Sequence, residues 1–170
     1  MQIGFRDNGR GGQILEISEA RIIWPNFAGK ADKFNDEGKR NFNIVIPDEE
    51  AKEVLVNELN EYGVGWKVKI RPPRDEYEDA LLYMPVKIKF NDWGPDVYLE
   101  TGSRSVKLDE ESINMLDNID IVSIDADIRA YDDIGPGGVP FRAAYVQKLW
   151  VRQKSDRFAE RHAERQGRYE

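Results

Sequence analysis

The chain has 170 residues, of which 34% are charged and 40% hydrophobic, with a formal net charge of −7 and no cysteine. That length suits one domain, and the lack of cysteine removes disulfides, thiolate zinc sites and cysteine nucleophiles together. No apolar run reaches the roughly 18 residues of a membrane-spanning helix, and the N-terminus lacks the apolar stretch of a signal peptide.

The acid is unevenly placed. Residues 47–62 carry six acids against one lysine, and residues 91–120 carry eight acids against two cations. The rest of the chain is neutral to mildly basic, so an electropositive surface is compatible with the negative total. Polyanion binding depends on that local balance.

In chain order, residues 1–13 (MQIGFRDNGRGGQ) read as a flexible N-terminal arm or an incomplete first strand. From Ile14, ILEISEARIIW has the β-branched, imperfectly alternating character of a half-buried strand, which Pro25 should end. Residues 24–42 (WPNFAGKADKFNDEGKRNF) then hold four aromatics, Trp24, Phe27, Phe34 and Phe42, and four cations, Lys30, Lys33, Lys39 and Arg40. A long loop inside a compact domain is usually functional. Aromatics interleaved with cations offer stacking faces for bases and counter-charges for phosphates. The competing reading turns the same aromatics inward to plug one end of a barrel.

Residues 40–46 alternate Phe42, Ile44 and Ile46 on one face, as a strand should. Asp48 should cap a helix whose first turn holds Glu49 and Glu50. Its apolar stripe runs through Ala51, Val54, Leu55, Leu59 and Tyr62 until Gly63 stops it. Residues 66–70 (WKVKI) predict a short strand with Trp66, Val68 and Ile70 inward and Lys67 and Lys69 outward. The following RPPRDEYEDALL is a loop in which Arg71, Arg74 and Tyr77 are optional additions to a binding face.

Residues 83–90 (YMPVKIKF) alternate again, with Val86, Ile88 and Phe90 opposite Lys87 and Lys89, and Pro85 marking an edge or bulge. After a turn at 91–95 and a short strand at 97–100, Asp109 should cap a second helix with Ile113 and Leu116 inward. Residues 119–131 predict a long strand bulged near Val122, and 139–151 a returning one, joined by the glycine turn at 134–138. Tyr131, Phe141, Arg129 and Arg142 flank the tip of this hairpin and repeat the aromatic-plus-cation composition of the 24–42 loop. Residues 153–170 form a charged tail. About seven strands with two inserted helices predict a mainly β fold, a small closed antiparallel barrel.

Signs of catalysis are few. The single histidine, His162, lies in the tail, which argues against Ser-His-Asp catalysis and His-rich metal sites, and no P-loop spacing occurs. Asp125 and Asp127 would share a strand face and could hold Mg²⁺, although solvated acids are the commoner reading. No catalytic residue, cofactor or metal is expected. The candidates for single-stranded DNA contact are Phe27, Lys30, Lys33, Phe34, Lys39 and Arg40, with Arg129, Tyr131, Phe141 and Arg142 on the hairpin. Trp24 and Phe42 belong to the same set but stand at strand ends, where burial is expected.

The stretch ARIIWPNFAGKADKFNDEGKRNFNIVIPDEEA resembles a group of bacteriophage single-stranded DNA-binding proteins. Their shared pattern of a strand, an N-F-x-G loop and a K-F-N-x-x-G-K/R-R-x-F segment falls here on Asn26, Phe27, Gly29, Lys33, Phe34, Asn35, Gly38, Lys39, Arg40 and Phe42. WKVKIRPP, YMPVKIKF, LDEESINMLD and the closing hairpin follow in the same order, so the likeness spans about residues 14–152. It implies an OB-fold barrel over 14–152 that coats single-stranded DNA in phage replication or recombination, without sequence readout or catalysis, in the host cytoplasm. Replication or recombination proteins and a second copy of the chain are further candidate partners, and no membrane is involved. Many replication proteins of this kind end in an acidic tail, whereas this chain ends AERHAERQGRYE, so recruitment through such a tail is in doubt. The alternative is a non-enzymatic phage structural or assembly barrel whose aromatics are all core, with a metal-dependent nuclease using Asp125 and Asp127 a distant third.

Overall fold

A computed structural model describes residues 1–154. The charged tail from residue 155 on, with His162, lies outside the described residues. The strands are β1 (Gln2–Asp7), β2 (Gln13–Ala20), β3 (Ile22–Asn26), β4 (Arg40–Ile46), β5 (Lys69–Arg71), β6 (Leu81–Ile88), β7 (Asp96–Thr101), β8 (Arg104–Leu108), β9 (Ile121–Ile134) and β10 (Pro140–Gln153). Helix α1 (Glu49–Val56) follows β4, and a 3-10 helix (Ser112–Asn118) precedes β9.

The main sheet runs β1-β2-β9-β10-β6-β4-β3, with β5 on β6 and the β7–β8 hairpin on β10. The segment expected as one strand is two. At Glu19 the backbone turns to a φ of +52°, and beyond it the chain changes neighbours: β2 ladders with β9, β3 with β4. β2 and β3 are therefore successive pieces of one bent segment that lie near opposite ends of the path, β2 one strand in from β1 and β3 at the far edge. Pro25 lies inside β3 rather than ending it, and β3 is an edge strand, where the missing amide costs nothing.

The sheet is not closed. β6 and β10 meet through one parallel pair, Lys87 with Tyr145, and β10 also runs parallel to β7. The closed antiparallel barrel expected from the sequence is thus a partly open one with two parallel contacts. A partly open Greek-key barrel of this kind is the OB type.

Alternation fills the interior. Leu15 and Ile17 of β2, Phe42, Ile44 and Ile46 of β4, Met84, Val86 and Ile88 of β6, Ile124, Ala126 and Ile128 of β9, and Val146, Leu149 and Val151 of β10 are all buried. The expected bulge near Val122 is present, because Ser123 pairs with Arg152 and Ile121 with Gln153, skipping Val122. Residues 2–7 pair with β2 along their length and place Ile3 and Phe5 against the core, so this part of the expected arm is a strand.

Three elements differ from expectation for local reasons. Asp48 caps α1 as expected, its Oδ1 accepting from Ala51 N at 2.8 Å, but the helix ends at Val56. The chain returns so close to the helix C-terminus that a Cβ on Gly65 would lie 1.9 Å from Val56 O, and Trp66 N donates to Leu55 O at 3.1 Å. The stripe therefore reduces to Leu55 as its buried member, and Val54, Leu59 and Tyr62 are exposed. The second helix is 3-10 rather than α; Ile113 and Leu116, three apart, both reach the core, as the three-residue turn allows. Of the 66–70 strand only Lys69–Arg71 pairs, with Trp66 buried and Lys67 and Lys69 exposed as expected, while Ile70 is half exposed.

Candidate nucleic-acid interface

The 27–39 loop is held rigidly, and much of its motif does the holding. Phe27 is fully buried and stacks on Phe42, also fully buried, with centroids 5.6 Å apart. Both carboxylate oxygens of Asp117 in the 3-10 helix accept from the loop, from Phe27 N at 2.8 Å and Ala28 N at 2.9 Å. Arg40 completes the clamp. Its guanidinium donates to Phe27 O and Asn114 Oδ1 at 2.6 Å each and to Glu110 O at 2.9 Å, and lies 5.7 Å from the Phe90 ring centroid.

Inside the loop, Asn35 Nδ2 donates to Lys30 O and Lys39 O at 3.0 Å each, and its Oδ1 accepts from Asn41 at 2.9 Å. Gly29, at a φ of +66°, passes so close to Gly38 that a Cβ would sit 3.0 Å from its carbonyl carbon. Asn26, Phe27, Gly29, Asn35, Gly38 and Arg40 therefore build the loop; Phe27 and Phe42, expected as DNA contacts, are wholly buried, and the Arg40 guanidinium, half-buried, is already hydrogen-bonded within the protein. Lys30, Lys33 and Lys39 stay exposed, and Phe34 is 90% exposed with the Lys33 ammonium 5.7 Å from its ring centroid.

Trp24, expected to be buried, is 48% exposed. Its φ of +49° coincides with a register slip between Ile23 and Asn26, and a bulge of this kind re-aims a side chain. The indole packs edge-on against Tyr83 at 5.0 Å and lies under the Arg71 guanidinium at 5.6 Å. Arg71 and Arg74, in turn, both pair with Glu78, whose carboxyl is held down to about 2 first by the Arg74 side-chain hydrogen bond.

The hairpin divides in the same way. Arg142 is a buried clamp: it pairs with Asp132 at 2.9 Å, donates to Glu58 O at 2.8 Å, and covers the Trp66 ring at 4.8 Å. Tyr131 and Phe141 remain on the surface with centroids 6.0 Å apart. The Tyr131 hydroxyl donates to Asp133 at 3.0 Å, which pushes the phenol pKa up and keeps it neutral. Arg129 lies 4.8 Å from the Tyr145 ring centroid and Lys87 lies 5.8 Å from it, each without a carboxylate partner among the described residues.

These pieces meet along β6. A cavity of about 720 Å³ lies between residues 64–69, β6 and the start of β10, and another of about 610 Å³ lies between the 34–39 loop, β4, β6 and Tyr145. They share Pro85 and Lys87, and so form one groove over the place where β6 and β10 part. Its lining includes Lys39, Arg40, Lys67, Lys69, Lys87, Lys89 and Arg142, seven cations, and no carboxylate. Even after Arg40 and Arg142 are set aside as clamps, five lysines remain in a chain of net charge −7; of these, Lys39 makes an exposed pair with Asp36 at 3.2 Å. Phe34, Phe141 and Tyr145 stand along the groove. Lys67, Lys69, Lys87, Lys89 and Tyr145 were not among the sequence candidates. The signal for the lysines was the alternation of WKVKI and VKIKF, which puts lysine opposite the core on two strands that prove to be neighbours.

The acid pair is engaged elsewhere. Asp125 binds Arg152 and accepts from Glu19 N at 2.7 Å, and Asp127 pairs with Arg6 at 3.2 Å. Burial pushes the Asp127 carboxyl up, with Arg6 pulling it the other way.

The chain matches a family model described as "Putative phage ssDNA-binding domain" over residues 10–166. No curated protein matches it. Among solved structures, the single-stranded DNA-binding protein from bacteriophage Enc34 in complex with ssDNA aligns with a TM-score of 0.50 at 14% identity, over 91% of this chain and 97% of that one. A C-terminally truncated form of the Enc34 protein aligns at 15% identity with a TM-score of 0.48, over the same shares of the two chains. At such identity the likeness bears on fold alone, while the family match covers most of the sequence: this chain belongs to the phage single-stranded DNA-binding domain family.

Proposed function

We propose that the protein, a member of a phage single-stranded DNA-binding domain family, binds single-stranded DNA in the groove over β4, β6 and β10, without reading sequence. The observation that carries this reading is the lining itself: lysines and aromatics with no carboxylate, on an acidic chain. Lys39, Lys67, Lys69, Lys87, Lys89 and Arg129 supply counter-charge to phosphates. Phe34, Phe141 and Tyr131 offer flat faces on which any base can stack, each worth roughly 1–3 kcal/mol. Lys30 and Lys33 extend the cationic track along the loop, and Trp24 with Tyr83 stands at its β3 side. Neither the groove nor the paired Asp125 and Asp127 supports a catalytic role, and we assign none. Coating of DNA during phage replication or recombination in the host cytoplasm fits this activity. Among the described residues no helix is long and apolar enough to cross a membrane.

Titration with oligo-dT tests the reading. Tryptophan emission should quench to saturation, and the affinity should fall linearly on a log–log plot as salt rises, by about 0.7 decades per decade for each phosphate neutralised. Lys87→Ala should remove about one such contact from the slope. An unchanged signal at low salt contradicts the proposal.

A further inference from the structure

Trp93 is 95% exposed, the most solvent-open of the large hydrophobic side chains among the described residues, and no fold contact accounts for it. The backbone that carries it is nevertheless held in place. Asn91 Oδ1 accepts from Trp93 N at 2.8 Å, and Asn91 and Gly94 close the turn through hydrogen bonds of 2.8 and 3.3 Å between their backbones. Phe34 is mounted alike: Asp32 Oδ1 accepts from Phe34 N at 2.7 Å, and Asp32 and Asn35 bridge. An aromatic ring on a stiff turn loses little entropy when a partner stacks on it.

The two turns rise from the same end of the barrel. The Phe34 loop runs into β4 at Arg40, the Trp93 turn follows the end of β6 at Ile88, and Arg40 and Ile88 are paired. Arg40 also covers Phe90 and so ties the two connections together. The groove reaches this end at Phe34 and Lys89, four residues before Trp93. Tyr77 is 90% exposed on a similar turn, but the sequence there is DEYED, which a polyanion would avoid.

We propose that Trp93 is a further single-strand contact, stacking on a nucleobase where the strand leaves the groove past Phe34, so that the footprint extends beyond the sheet face onto the β6–β7 turn. The ligand is a base and not a phosphate, because the turn carries Asp92 and no cation of its own. This inference rests on the groove as the DNA site, and its test separates the two. Oligo-dT of increasing length is titrated against wild type, Trp93→Ala and Trp93→Phe by fluorescence anisotropy of a 5′-labelled and, separately, a 3′-labelled strand.

Beyond a threshold length, Trp93→Ala should bind roughly 5- to 100-fold more weakly with an unchanged salt slope, and below that length it should match wild type. Trp93→Phe should recover most of the affinity. The melting temperature of all three should agree, since the side chain touches nothing. Equal affinities for Trp93→Ala and wild type at every length overturn the inference while leaving the groove intact, and so does a loss at every length, which would place Trp93 inside the main site. Failure of wild type itself to bind overturns the underlying reading instead.

Discussion

The residues of the 27–39 loop divide by what their side chains already hold. Phe27 and Arg40 match the family pattern and have the right chemistry for DNA, yet one is in the core and the other spends its guanidinium on three oxygens. Phe34 and Lys33, in the same loop, hold only each other. A sequence shows which residues could stack or pair with phosphate, but not which of them the fold has already engaged. The difference is measurable. Phe27→Ala should cost about 3–5 kcal/mol of stability, because it empties a site stacked on Phe42, and denaturant unfolding reads that loss. Phe141→Ala should leave the unfolding midpoint nearly unchanged and weaken oligo-dT binding by roughly 1–3 kcal/mol. If Phe27→Ala folds normally and loses only binding, the assignment of the loop is wrong.

Among the elements, those whose apolar period and punctuation agree were the legible ones. β4, β6, the β9–β10 hairpin with its bulge near Val122, and the Asp48 cap follow from alternation, glycine and a capping carboxylate. What was not legible depends on approaches between distant segments. α1 stops where Gly65 crosses it, the first strand bends where its two halves take different neighbours, and β8 pairs only because β7 does. Of the five groove lysines, Lys67, Lys69, Lys87 and Lys89 were visible as outward residues and Lys39 as a loop candidate, but their convergence needs the pairing of β5 with β6 and the parting of β6 from β10.

The β5–β6 loop gives a prediction at this scale. Glu78 accepts from Arg74 N at 2.9 Å and pairs with both Arg74 and Arg71, so its carboxyl sits at about 2 rather than 4.5. A carboxyl lowered in the folded state stabilises the loop fully above pH 4.5, and that contribution is lost as pH falls through about 2. Carboxyl-carbon NMR should therefore show Glu78 titrating well below the other glutamates. A midpoint near 4.5 would mean the loop is open in solution.

For the whole molecule, the net charge misleads and its distribution does not. The acids of 47–62 and 91–120 fall on α1 and the loop after it, the turn around Trp93, β7, and the 3-10 helix with its flanks, while the groove lining has none. The partly open barrel is what makes this segregation useful. Because β6 and β10 share one pair and then part, the sheet presents a furrow instead of a convex wall, and outward lysines from β5, β6 and the loop ahead of β4 lie along it. The claim that DNA lies in this furrow is tested most directly by two-dimensional NMR of the protein with and without saturating oligo-dT. The largest shift changes should fall on Asn43, Lys69, Lys87, Phe141 and Tyr145, with Phe27 and the β7–β8 hairpin nearly unmoved. Changes concentrated on β1, β2 or β8, with Lys87 and Tyr145 unperturbed, would contradict it.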